Sequence, residues 1–335
     1  MCGQGHQMFA DELLRFAVEA GEPRVTAIAE RVAAPLRVAV RGRRGVGCRT
    51  VAHALASTGL AVTATPATVE VDVYVIAEVV KPEDRDGIAA ACNPVLMVLN
   101  KADLTGFAAS GPIAAARSRC AHFSQLTGAP TEPLVGLLAV AALDELLDDT
   151  LWAALRLLAT QPADMRSPDS FLAGAHPVPN TVRRRLLETL DLFGITLAVA
   201  AIRRAAPKAA VGDLLHHVSG VDVIVAKIGA LGVEARYRRI LDAVAELDRL
   251  AVTDDRIGDF LSADDTVIAR MAAAVDVIEA TGLKIDPRDD SAAHLRCAVK
   301  WQRYSRGPAT ALHRACGADI VRGSLRLWSL AGGSL

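Results

Sequence analysis

Short apolar runs recur through the first half of the chain. "LRVAV" (36–40), "LAVTAT" (60–65), "VDVYVIAEV" (71–79) and "PVLMVLN" (94–100) are rich in β-branched residues and bounded by Gly, Pro or charged residues. "EPLVGLLA" (132–139) is a fifth such run. Runs of this length without alternation suit strands buried on both faces. Helix-compatible stretches lie between them: residues 49–58 form one, and a crossover helix fits "KPEDRDGIAAAC" (81–92). Strands alternating with helices predict a mostly parallel sheet covered by helices on both sides.

The rest of the chain reads differently. Residues 7–33 suit helices, broken at "GEP" (21–23). Beyond residue 141, stretches such as 181–205 and 233–251 carry apolar residues three and four apart with charges between, the mark of amphipathic helices. Residues 159–180 are proline-rich and read as a linker. The expected organisation is N-terminal helices over 1–34, an α/β domain over 35–158, a linker over 159–180, a helical domain over 181–283 and a basic helical tail over 284–335. Segment 251–290 is acidic, whereas Arg296, Lys300, Arg303, Arg306, Arg314, Arg322 and Arg326 face only Asp319 beyond residue 294.

Composition excludes several classes. With 52% hydrophobic and 22% charged residues, the 335-residue chain can bury a sizeable core. A net charge of −1 gives no overall attraction to nucleic acid, and no nucleic-acid partner is expected. The longest apolar runs, such as "LFGITLAVAAI" (192–202), fall short of the roughly 20 residues that a membrane span needs. The N-terminus lacks the apolar core of a signal peptide, and the six cysteines form no C-x-x-C pair, so reduced thiols in the cytoplasm are expected.

The first run leads into "RGRRGVGCRTVAHAL" (41–55). Gly42, Gly45 and Gly47 have the G-x-x-x-x-G spacing of a phosphate-binding loop. Such loops cradle anionic oxygens with backbone N–H groups at a helix N-terminus. A nucleotide-hydrolysing loop then needs Lys for the outer phosphates and Ser or Thr for Mg²⁺. Here Cys48 and Arg49 hold those positions, and Thr50 comes one residue late, rotated by about 100° on a helix. Arg43 and Arg44 offer replacement charge from the loop. Taken alone, the stretch reads equally as a glycine turn between strand and helix.

A second motif follows the fourth run. Asn100-Lys101-x-Asp103 resembles the guanine-specificity motif N-K-x-D of the GTPase superfamily. The Asp103 carboxylate could accept two hydrogen bonds from the N1–H and N2–H₂ edge of guanine, and Lys101 could lay its stem over the base. "VGLLA" (135–139) stands where a last guanine loop belongs. Between the motifs, parts are missing. Only 25 residues separate Gly47 from Asp72, leaving no room for a long switch loop, and no D-x-x-G precedes the third run. Those parts position metal and attacking water. No catalytic residue and no metal ligand is therefore assigned.

Together these residues resemble the actinobacterial dynamin-like GTPases of the isoniazid-inducible type. The likeness covers about 27–55, 132–159 and 181–251, together with the N-K-x-D, and the chain looks like a shortened, degenerate member. The resemblance implies a P-loop GTPase-like α/β domain followed by an α-helical domain. It implies GTP or GDP held by Gly42, Gly45, Gly47, Cys48, Arg49, Thr50, Asn100, Lys101 and Asp103. It also implies homo- or hetero-association with a dynamin-like GTPase and peripheral contact with the inner face of the plasma membrane. The altered loop points to a non-hydrolysing partner or regulator. Two alternatives stay open: an active GTPase using Arg49 or Arg44 for charge, with Thr50 or a partner completing the site, and a peripheral membrane scaffold whose G domain is purely structural.

Three further features are weighed. Adjacent His216 and His217 would point apart on a helix, which disfavours joint metal ligation. "RRR" (183–185) reads as a solvated helix face. "KWQRYSR" (300–306) and Trp328 could meet anionic lipid headgroups, or the basic tail could neutralise the acidic segment within the chain.

Overall fold

The computed structural model describes residues 4–65, 68–106, 111–285 and 290–332. The chain divides into two compact units. One spans Arg37–Ile228, and the other joins Met1–Leu36 to Gly229–Leu335. The chain opens with α1 (Gln4–Ala20) and α2 (Pro23–Ala33), separated at the expected "GEP" break.

The first of these units carries β1 (Arg37–Gly42), α3 (Cys48–Ser57), β2 (Ala61–Val62), β3 (Val71–Ile76), α4 (Pro82–Ala89), β4 (Val95–Asn100), α5 (Pro112–Thr127), β5 (Thr131–Leu134) and α6 (Gly136–Leu143). Helices α7 (Asp149–Thr160), α8 (Pro168–Ala173), α9 (Asn180–Arg203), α10 (Lys208–Ser219) and α11 (Val221–Leu231) follow. The five strands are all parallel, in the order β2-β1-β3-β4-β5. β3 and β4 are buried along almost their whole length, as their unbroken apolar runs require. The direction in which successive strands are added reverses between β1 and β3. In open doubly wound sheets, ligands bind outside the carboxyl ends of the strands at such a switch point.

Two runs are trimmed. "LAVTAT" pairs only at Ala61 and Val62, an edge position beside β1. "EPLVGLLA" divides: its strand ends at Leu134, and Gly136 starts a helix, whose Leu- and Ala-rich sequence favours that conformation. The expected linker also changes character. Ser167 caps α8, with Pro168 at its first turn, and Phe171 on it is fully buried in the core that Leu155, Leu186 and Leu190 share. Proline here starts a helix. Arg183 is likewise no solvated residue. It is 5% exposed, donates to the Phe171 carbonyl and stacks 5.9 Å from that ring, whereas Arg184 and Arg185 are exposed.

The helical unit adds α12 (Val233–Ala251), α13 (Asp255–Ser262), α14 (Asp264–Ala280), α15 (Ser291–Ser305) and α16 (Ala311–Leu330) to α1 and α2. Its core draws on both ends of the chain: Phe9, Leu13 and Ile28 pack with Tyr237, Ile240, Leu247, Trp301 and Ile320. The segment read as a basic tail is therefore part of a core, with Trp301 2% exposed and Cys316 fully buried. The 181–283 stretch does not stay together either, since the division falls between Ile228 and Gly229.

Candidate functional site

The carboxyl ends of β1, β3, β4 and β5 bring the two motifs to one edge. Gly42 lies opposite Val75, and Asn100 opposite Leu134, in the ladder registers. A Cβ on Gly42 would stand 2.4 Å from the Val75 carbonyl oxygen. Gly47 has φ 91° and ψ 27°, and a Cβ there would meet Asn100 Nδ2 at 2.3 Å. Only glycine fits. Gly47 is the N-cap of α3, no side chain caps that helix, and its first N–H groups open at the loop.

Asn100 joins three loops. It is 3% exposed. Its Nδ2 donates to the Val46 carbonyl at 2.9 Å, and its Oδ1 accepts from the Gly136 N–H at 3.1 Å. The side chain thus ties the glycine loop to the β5–α6 turn, the "VGLLA" region. Lys101 is exposed, in a left-handed conformation (φ 57°), and opens a 3₁₀ turn over Ala102–Leu104 that carries Asp103. Asp103 is half-buried. Burial raises its carboxyl above the ordinary range, the Asp191 charge adds to this, and its own backbone hydrogen bond and Lys101 oppose it. Asp191 interrupts α9 with φ 54° and ψ 177°, and its Oδ1 accepts from the Leu192 N–H at 2.6 Å.

The remaining loop residues divide by environment. Burial raises the Cys48 thiol, leaving it neutral near pH 7. Thr50 is half-buried and faces the β5–α6 turn, since a Cβ on Gly136 would lie 3.4 Å from its Cγ2. Arg44 and Arg49 are exposed and, among the described residues, have no ion-pair partner. Arg43 does not supply replacement charge. Its Nε donates to Asp84 Oδ1 at 2.8 Å. Asp84 is fully buried at the start of α4, where it also accepts from the Tyr74 hydroxyl at 3.3 Å and the Lys81 N–H at 2.8 Å.

A neutral thiol followed by an exposed guanidinium does not fit Mg²⁺, which takes oxygen ligands. The same edge fits an anion: a glycine loop, an uncapped helix start and two exposed arginines converge on it. His216 engages Asp222 at 2.8 Å. Sequence reading overlooked Asp84 and Asp191. "KPED" holds the signal for the first, proline at a helix start with an acid two residues on, whose carboxylate accepts from the Lys81 N–H. Comparison with protein-family models, curated proteins and solved structures returned no match to this chain.

Proposed function

We propose that the sheet unit binds a guanine nucleotide without hydrolysing it, and that the protein is a dynamin-like pseudo-GTPase acting as partner or regulator of an active dynamin-like GTPase. The observation that carries the nucleotide reading is the Asn100 bridge, which holds the glycine loop, the N-K-x-D turn and the β5–α6 turn together at the switch point of the sheet. Gly42, Gly45, Gly47 and the start of α3 at Cys48, Arg49 and Thr50 would take the phosphates. Asp103 and Lys101 would take the base.

Absence of turnover follows from the parts list. Helix α3 and β2 take half of the residues between Gly47 and Asp72, and what is left is divided among short connections. The loop chemistry suits an anion and rejects Mg²⁺. A second reading, an active GTPase, draws on the exposed Arg44 and Arg49, which are free to contact phosphate. Location in the cytoplasm, at the inner face of the plasma membrane, belongs to the same proposal. The basic C-terminal helices support the membrane part less than their composition suggests, because Arg322 and Arg326 already pair with Asp319 and Asp264.

The test is a titration of the full chain with GTP, GDP and ATP, with and without Mg²⁺. Guanine nucleotides should bind in preference to ATP, with little dependence on Mg²⁺. Asp103→Asn should weaken them at least tenfold, since the amide keeps one acceptor but loses a charge-assisted hydrogen bond of about 1.5–3 kcal/mol. Turnover of GTP that disappears in this variant would replace the proposal with the second reading. No binding at high micromolar protein would remove both.

A further inference from the structure

The helical unit contains a cavity of about 670 Å³ among α12, α13, α14 and α16. That volume lies within the roughly 300–1,000 Å³ of small-molecule sites. Its lining is divided. Val244, Leu261, Val267 and Leu325 supply an apolar wall, and Arg270, Arg322 and Arg326 supply three guanidiniums against one lining carboxylate, Asp248.

Two of the arginines share one carboxylate from below. Arg270 and Arg322 both contact a single oxygen of buried Asp319, Oδ1, at 2.8 and 3.1 Å. The other oxygen is taken by the Tyr237 hydroxyl at 2.8 Å. One carboxylate therefore serves two guanidiniums and has no oxygen left. The Arg270 side chain is 11% exposed, and its Nε, buried, has no acceptor among the described residues. A buried donor without a partner calls for an explanation, and a guanidinium group with spare donors beside a cavity binds carboxylate or phosphate readily. Arg326 donates to the Ser262 carbonyl, itself part of the cavity lining, at 2.9 Å, and pairs with Asp264 at 3.1 Å.

We propose that this cavity binds a single organic anion, its carboxylate or phosphate head on Arg270, Arg322 and Arg326 and its apolar segment along Val267, Leu261 and Leu325. The cavity is lined wholly by residues of the helical unit, and the proposal does not rest on nucleotide binding by the sheet unit. Dodecyl phosphate, held below its micelle concentration, is the probe for calorimetry on the full chain. It should bind with one-to-one stoichiometry. Inorganic phosphate should bind at least 100-fold more weakly, and dodecyltrimethylammonium should not compete. Arg322→Gln with Arg326→Gln should weaken dodecyl phosphate at least tenfold. These side chains are 62% and 41% exposed, so the double variant should keep the parent's thermal midpoint. Arg270→Gln risks the fold, because it strips buried Asp319 of its nearest cation. Unchanged affinity in the folded double variant, equal affinity for inorganic phosphate, or no binding by the parent chain would each overturn the proposal.

Discussion

Gly47 shows how little freedom the loop has. An alanine there must hold φ near 91° and push its Cβ into Asn100. Gly47→Ala should destabilise the sheet unit by roughly 1–3 kcal/mol, read by urea unfolding. Asn100→Ala leaves the Val46 carbonyl and Gly136 N–H without their partner and should cost about 2–4 kcal/mol. A loss under half a kcal/mol would mean that the amide bridge does not hold the loops. Asp103 behaves oppositely. Its carboxyl is raised in the folded chain, so the folded state keeps a proton that the unfolded chain has lost. Stability from this group is fully present at low pH and falls as pH rises from the ordinary carboxylate range through the raised value. Asp103→Asn should therefore be more stable than the parent at pH 7, and lose that advantage below the carboxylate range. Parallel unfolding curves at pH 7 and pH 3 check the sign.

Elements were legible where periodicity and length agreed. Strands β1, β3 and β4, the α1–α2 break and the amphipathic α9 and α12 all appear near their expected bounds. The failures share a cause: residue type alone does not reveal what a segment packs against. Proline-rich 159–180 looked solvent-bound until Phe171 found a core. Phe171→Ala should cost roughly 3–5 kcal/mol, where a linker residue would cost almost nothing. Arg43 looked like free charge, since its partner Asp84 lies 41 residues away and on another element. Asp84→Ala should destabilise by about 2–3 kcal/mol, somewhat less than the ~3–5 of a fully buried pair because Arg43 retains 24% exposure. Hydrogen exchange across residues 42–50 should rise in the same variant. Of the candidate site, the glycines and the N-K-x-D were readable; the Asn100 bridge and the Asp191 break depend on tertiary contacts.

At the scale of the molecule, the sheet unit is continuous in sequence and the helical unit is not. A fragment spanning residues 37–228 should unfold cooperatively by itself and bind guanine nucleotide as the full chain does; circular dichroism and the same titration measure both. A chain cut after Leu283 loses α15 and α16, and with them Trp301, Cys316 and Ile320 from the helical core. Its helical unit should melt early while the sheet unit keeps its transition.

The split of the helical unit also sets an order of events on the ribosome. The Gly5 N–H bonds Asp276 Oδ2 at 3.0 Å, across 271 residues of chain. Helices α1 and α2 emerge first and then wait, with Phe9, Leu13 and Ile28 unburied, while the whole sheet unit is synthesised and folds. Only the emergence of α15 and α16 completes their core. A nascent chain stalled near residue 270, with the sheet unit clear of the ribosome, would thus carry a finished α/β unit behind a sticky N-terminal helix pair, a substrate for holding chaperones.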